Sequence, residues 1–266
     1  MLSDFITKKI ILILCILYTT LGCNQNNSKW ENLIKNNSLE GWHIFQDDGN
    51  KKGWSVENDI IIFKDLSSSE NILSSDASLI SNKKYLNFEI KFDWKIEDGG
   101  NSGFMWGVDE EYKYKFPYQT GPEIQILDSD VYLKPESILG GEVETKNIIE
   151  DLGENKRIVG AVYDISAPSK TSVANPAGEW NTFYIKIDHN ENKGIVILNK
   201  ILINEFPLKG EKWDSLLKES KFSKSQDYEY LGNKRWYGFG KSPYGFICLQ
   251  DHPGDAYFKN IKIREL

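Results

Sequence analysis

The segment Leu249-Gln250-Asp251-His252-Pro253-Gly254-Asp255 sets an amide, a carboxylate and an imidazole in succession behind an apolar run. A donor–acceptor, an acceptor and a group that titrates near neutrality are the materials of general acid–base catalysis. Three other segments offer polar groups beyond what a solvated strand needs. In Thr120-Gly121-Pro122-Glu123-Ile124-Gln125-Ile126-Leu127-Asp128, strand alternation puts Glu123 and Gln125 on one face with Leu127, and the two isoleucines on the other. Two polar groups so placed read either as the floor of a groove or as a solvent-facing strand. Gly99-Gly100-Asn101-Ser102-Gly103 lets the backbone turn tightly and approach a ligand, with the Asn101 amide both donor and acceptor; the competing reading is a plain hairpin turn. Gly160-Ala161-Val162-Tyr163-Asp164 carries a phenol suited to positioning a hydroxyl-bearing substrate. His43, beside Trp42, and His189, in a polar turn, lack such company, and Trp180 is read as structural.

The elements that hold these segments are strands. From Leu86 to Ile96, apolar residues alternate without error with polar ones, the period of a strand with one buried and one wet face. Further strands are expected at 54–63, 103–107, 123–128, 160–163, 182–188, 194–198, 201–206, 245–250 and 256–264, separated by turns rich in Gly, Asn, Asp and Pro. Only Glu211–Phe222 has helical periodicity, with Trp213, Leu216 and Leu217 on one face. Many short strands with almost no helix make an all-β sandwich or barrel. Leu133–Arg157 is polar and weakly patterned, and is expected to form a long loop.

The chain has 266 residues, enough for one substantial domain. It carries 13 Phe, 13 Tyr and 8 Trp against 3 His, 3 Cys and 2 Met, a bias that suits pleated faces and sugar-stacking surfaces. A net charge of −7 argues against a dedicated nucleic-acid binder. Lys8 and Lys9, the apolar run Ile10–Tyr18 and Gly22-Cys23 read as a secretory leader. The run is too short to span a bilayer, and Gly22-Cys23 resembles a bacterial lipoprotein box. The expected organisation is a signal peptide over 1–22, a tether over 23–29 beginning at lipidated Cys23, and one domain over 30–266. The product would be exported and held to the membrane through the lipid alone. Cys15 would leave with the leader, so Cys248 would stand without a disulfide partner or a cysteine metal site, as an inert core residue.

The chain resembles the bacterial family of 3-keto-glycoside lyase/hydratases and 3-keto-disaccharide hydrolases. The resemblance rests on the order of Leu39-Glu40-Gly41-Trp42, Gly53-Trp54, Trp94-Lys95, Gly99 to Gly103, Gly121-Pro122-Glu123, Gln125 to Asp128, Ala161 to Asp164, Gly178 to Asn181, Ser220-Lys221-Phe222, Leu249 to His252 and Asn260 to Ile263. It covers the chain from about Trp30 to Leu266. The chain departs from the family's pattern in a longer Asp130–Arg157 stretch, in Asn199-Lys200 where Asn-Gly is usual, and in Pro253 between His252 and Gly254.

The resemblance implies a concanavalin A-like jelly roll whose concave face binds a sugar already oxidised at C3. The ketone acidifies the C2 hydrogen; its removal gives an enolate that expels the C1 substituent, and water adds back to complete a net hydrolysis. It implies Glu123 and His252 as acid and base in either order, Asp251 as an orienter of His252 or a ligand to a divalent ion, and Asn101, Gln125, Tyr163 and Gln250 as hydroxyl-binding groups. No cofactor is required by the sequence. Two other readings stay open: a non-catalytic glycan-binding module, and a direct two-carboxylate glycosidase. Against the second, Glu123-Ile124-Gln125-Ile126-Leu127 lacks the second carboxylate that a retaining strand pair needs about 5–5.5 Å away.

If Cys23 carries the lipid, Cys23→Ser releases the protein from membranes or leaves it unprocessed, because stable anchoring needs more than one acyl chain. Fractionation and intact mass check this; unchanged processing and attachment would sink the lipoprotein reading.

Overall fold

The computed structural model describes residues 28–47, 52–66, 77–128, 156–170, 173–223, 229–230 and 233–266. The leader, most of the tether and most of the expected 133–157 loop lie outside them. The strands are β1 (Glu31–Asn32), β2 (Trp42–Ile44), β3 (Trp54–Glu57), β4 (Ile60–Phe63), β5 (Leu79–Tyr85), β6 (Phe88–Ile96), β7 (Asn101–Val108), β8 (Glu123–Leu127), β9 (Asn181–Asp188), β10 (Lys193–Leu198), β11 (Ile201–Phe206), β12 (Glu229–Tyr230), β13 (Asn233–Lys234), β14 (Gly245–Leu249) and β15 (Ala256–Glu265), with one α-helix, α1 (Glu211–Lys218). They form an antiparallel eight-stranded sheet, β11-β10-β9-β6-β15-β4-β3 with β1 on β15, and a five-stranded sheet, β2-β5-β14-β7-β8. β12 and β13 pair separately.

β6 is the hub. Its alternation buries Phe88, Ile90, Phe92, Trp94 and Ile96 between its neighbours β9 and β15. The Phe92 ring lies 5.9 Å from Phe183 and 6.2 Å from Phe258 within the sheet, and 5.6 Å from Phe104 of the opposing sheet. Offset and edge contacts at such distances add to the burial of each ring. From the five-stranded sheet Phe104, Trp106, Ile124, Ile126, Ile247 and Leu249 join this core. The residues between them, such as Met105 and Cys248, face the other way and gather with Phe45 and Ile80 in a second cluster. Cys248 is a buried free thiol there. The chain is therefore the β-sandwich that its alternation announces.

Several expected elements differ. The strand expected over 86–96 is β6 and starts at Phe88, with Leu86 exposed. Residues 54–63 form a hairpin, with Asn58 and Asp59 both at positive φ, the geometry of a two-residue turn matched to strand twist. The 160–163 segment is not a strand. It is an irregular loop laid along the edge of β8, with Ala161 O accepting from Gln125 N, and Gly160 N and Tyr163 N donating to Gln125 O and Glu123 O at 2.9–3.0 Å. The Gly99–Gly103 segment is no hairpin either: it carries the chain from one sheet to the other, and Asn101 already belongs to β7. α1 ends at Lys218, and Ser220-Lys221-Phe222 forms a turn closed by Ser223 N donating to Ser220 O. Trp180 is only partly buried, on the outer face of the large sheet, with the Lys259 and Lys95 ammoniums 3.9 and 5.4 Å from its ring.

Phe92→Ala removes the ring that links three strands and the opposing sheet. It should cost about 3–5 kcal/mol, read from urea unfolding; a loss below about 1 kcal/mol would contradict this account of the core.

Candidate active site

The polar face of β7, β8 and the end of β14 forms the floor of a cavity of about 260 Å³. It lies on the side of the five-stranded sheet turned away from the large one. Asn101, Glu123, Gln125, Tyr163, Gln250, Asp251 and His252 all line it, so the structure brings every candidate residue to one place. Register explains part of this. β7 and β8 pair with Asn101 opposite Leu127, Gly103 opposite Gln125 and Met105 opposite Glu123, which keeps Asn101, Glu123 and Gln125 on one face. Tyr163 arrives on the loop that caps the edge of β8. Gln250 is fastened by its backbone, its N–H donating to Gly103 O and its carbonyl accepting from Ser102 Oγ.

Glu123 is buried, and its Oε1 has no hydrogen-bond partner. Room for the carboxyl exists only because the residue beside it is Gly103: a Cβ there would collide with the carboxyl oxygen. Burial pushes the Glu123 pKa up to about 8, a rise that the positive charge of Lys221 only partly opposes. At neutral pH the group is held as the acid.

His252 is oriented through two amides. Gln125 Nε2 donates to Asn101 Oδ1 at 3.0 Å. That leaves Asn101 Nδ2 as donor to His252 Nε2 at 3.3 Å, and the chain of donors assigns the lone pair to Nε2. Nδ1 is buried without a partner. Burial lowers the imidazole pKa, with Asp65 opposing, so the ring is neutral and basic at neutral pH.

Asp251 does something other than expected. Its carboxylate accepts from Ala77 N at 2.9 Å and Ser78 Oγ at 2.6 Å, tying the entry of β5 to the end of β14, while His252 Nδ1 stays unpartnered. It anchors the floor and does not orient the imidazole through that nitrogen. Among the described residues there is no grouping of three or more His, Cys, Asp or Glu side chains able to hold a metal ion.

The roof was not legible as site from residue types. It comprises Tyr118, Lys221, Phe222, Arg235, Trp236 and Phe239. Phe222 stacks on Phe239 at 3.8 Å and meets Trp236 edge-on at 4.9 Å, making a wall of three rings. The Lys221 ammonium sits 4.1 Å from the centroid of the Tyr163 ring. Burial lowers its pKa to about 8, against the opposing pull of Glu123 and Asp164. Its backbone N–H donates to Asp164 Oδ2 at 2.6 Å. Asp164, at φ +60° and ion-paired to Arg157 at 2.7 Å, belongs to the loop that carries Tyr163. The signal that could have found Lys221 was its place in Ser220-Lys221-Phe222, one of the segments that carry the family resemblance.

A β-sandwich with a buried acid, a neutral imidazole and an amine around one aromatic-walled cavity is the frame of a carbohydrate-active protein. The 3-keto-alpha-glucoside-1,2-lyase-like domain family matches residues 29–264, and the chain belongs to that family. It is 30% identical over 242 residues to a 3-keto-disaccharide hydrolase of Bacteroides thetaiotaomicron, covering 86% of this chain and 76% of that one. A crystal structure of a candidate glycosyl hydrolase from Parabacteroides distasonis superposes with a TM-score of 0.69 at 29% identity, over 89% of this chain and 94% of that one. A second from the same organism, at 23% identity and a TM-score of 0.58, covers 90% of this chain and all of the other, and shares the fold.

Because folding raises the Glu123 pKa, its contribution to stability is complete below about pH 4.5 and is lost as pH rises through about 8. Glu123→Gln removes that dependence. Thermal unfolding should show the variant gaining on the wild type steadily between those two pH values. A difference that stays constant across this window would refute the buried-acid assignment.

Proposed function

We propose that this protein is a carbohydrate-active enzyme that cleaves 3-keto-glycosides by elimination across C1 and C2, with hydration of the product completing a net hydrolysis. The observation that carries this reading is the pairing of a carboxylic acid and a neutral imidazole, Glu123 and His252, on one buried floor. The family membership and the hydrolase relative support the substrate class.

In this reading His252 removes the C2 proton through Nε2, whose lone pair is released when the Asn101 amide turns its 3.3 Å contact over to the sugar. Glu123 donates a proton to the departing C1 oxygen, which a group held as the acid at neutral pH is able to do. Lys221 faces the same cavity as the electrophile that accepts charge developing at C3. Asn101, Gln125, Gln250 and Tyr163 hold sugar hydroxyls. A cavity of about 260 Å³ falls below the roughly 300–1,000 Å³ usual for drug-sized ligands, which suits one sugar ring with its aglycone outside. Export and attachment through lipidated Cys23 complete the reading, placing the enzyme where oxidised glycosides reach it.

Direct retaining hydrolysis fits the site poorly. The other carboxylate on the wall, Asp251, already accepts from Ala77 and Ser78, and position 125 is an amide. Purified wild type should cleave a 3-keto-glucoside and leave the unoxidised glucoside intact. Glu123→Gln and His252→Asn should each lower kcat by about 10²–10⁴-fold with the circular dichroism spectrum retained. Equal cleavage of the unoxidised sugar would eliminate the ketone-dependent mechanism; binding of both sugars without cleavage would make the protein a glycan-binding module.

A further inference from the structure

We infer that Lys221 acts covalently, its amine condensing with the C3 ketone of the sugar to form an iminium that serves as the electron sink for elimination. The inference rests on the 3-keto-glycoside reading and deepens it.

The geometry comes first. Lys221 is held at its backbone by Asp164, on the turn beyond α1, and its side chain enters a cavity whose other wall carries Glu123 and whose end carries His252. The amine makes no ion pair with Glu123 among the described residues; the ring of Tyr163 is its close neighbour instead, 4.1 Å from the nitrogen to the centroid. Glu123 Oε1 likewise has no partner. The amine and the acid feel each other's charge without pairing, and both line the same cavity. An amine that served only as a counter-ion would be expected to pair with that acid.

The protonation states suit condensation. Burial drives Glu123 towards its acid form and Lys221 towards its free amine. A desolvated lysine of this kind is the usual nucleophile towards carbonyl groups. The groups that act on it electrostatically are Glu123, Asp164, Arg157 and Arg235, two of each sign, so none imposes the ammonium outright.

The steps balance. The Lys221 nitrogen lone pair attacks C3 while the ketone oxygen takes a proton from Glu123, and the nitrogen gives up one of its own to the carboxylate. The carbinolamine then loses its hydroxyl, protonated by Glu123, as water, leaving a C3=N⁺ iminium. His252 removes the C2 proton and the electron pair forms C2=C3, giving an enamine. The enamine electrons return to the iminium as C1=C2 forms and the C1–O bond breaks; with Glu123 already spent on the carbinolamine hydroxyl, the leaving oxygen takes the proton that His252 removed from C2. Water adds to the iminium carbon and releases amine and ketone, and the proton set free returns Glu123 to its acid form. One water leaves and one is consumed; no oxidant or reductant is needed.

The test adds sodium cyanoborohydride to the full mature chain during turnover of a 3-keto-glucoside. Peptide mass mapping should find the reduced secondary-amine adduct on Lys221, absent without sugar and absent with the unoxidised glucoside. Lys221→Arg keeps the positive charge but cannot form the iminium, and should lose at least about a hundredfold in kcat, as should Lys221→Met; ketone-oxygen exchange with labelled water should vanish in both. Thermal unfolding of the two variants shows whether each is folded. Turnover by wild type without an adduct, or a Lys221→Arg variant that retains most of the rate, overturns the covalent role and leaves the 3-keto-glycoside reading standing. Failure of wild type to turn over the ketone at all removes that reading, and the covalent role with it.

Discussion

A carboxyl oxygen buried without a hydrogen-bond donor costs roughly 1–3 kcal/mol in mutational experiments, and a fold keeps such a group only where the surroundings hold it in place. Glu123 is that group here. Its presence dictates what stands next to it: Gly103 on the neighbouring strand, because no side chain fits beside the carboxyl, and a loop whose backbone seals the exposed edge of β8. The same loop brings Tyr163 to the cavity and, through Asp164, fixes the turn that delivers Lys221. One desolvated acid therefore organises a strand pair, an edge and a roof.

The floor is built differently from the roof, and the difference follows from what each must do. Glu123, Gln125, Asn101 and His252 stand on or directly after strands whose opposite faces are locked into the aromatic core. Two amides in series orient the imidazole, and Asp251 ties the end of β14 to the entry of β5. Proton transfer tolerates little misplacement, and rigid support of this kind supplies the positioning that it needs. The roof comes mostly from residues outside the two sheets, where Phe222, Trp236 and Phe239 pack on one another.

That division also explains what was legible in the sequence. β6 was readable because one face is wholly core while the other carries only charged residues, of which Glu89 alone is buried. β5 was not, since Leu79 faces the main core while Ile80 faces the second cluster, and two buried residues in a row erase the period. β8 alternates in sequence, yet all five residues are buried because a loop and the roof cover its polar face. Residues 160–163 look like a strand and pair like part of one, but bridge only at Val162. Glu123, His252 and their amide neighbours could be picked out by residue type on apolar strands. Lys221 could not, because its meaning depends on a turn that breaks a helical pattern four residues early and on a tyrosine far away in the chain.

Three of the rings that line the cavity, Phe222, Trp236 and Phe239, come from one stretch of the chain, apart from the β8 strand and the end of β14 that carry the acid and the imidazole. The shape of the aromatic wall and the polar groups of the floor are thus written in separate stretches of the gene. A lineage can exchange rings in the first stretch while inheriting the second unchanged, so the cavity can be reshaped by a few substitutions that never touch its floor.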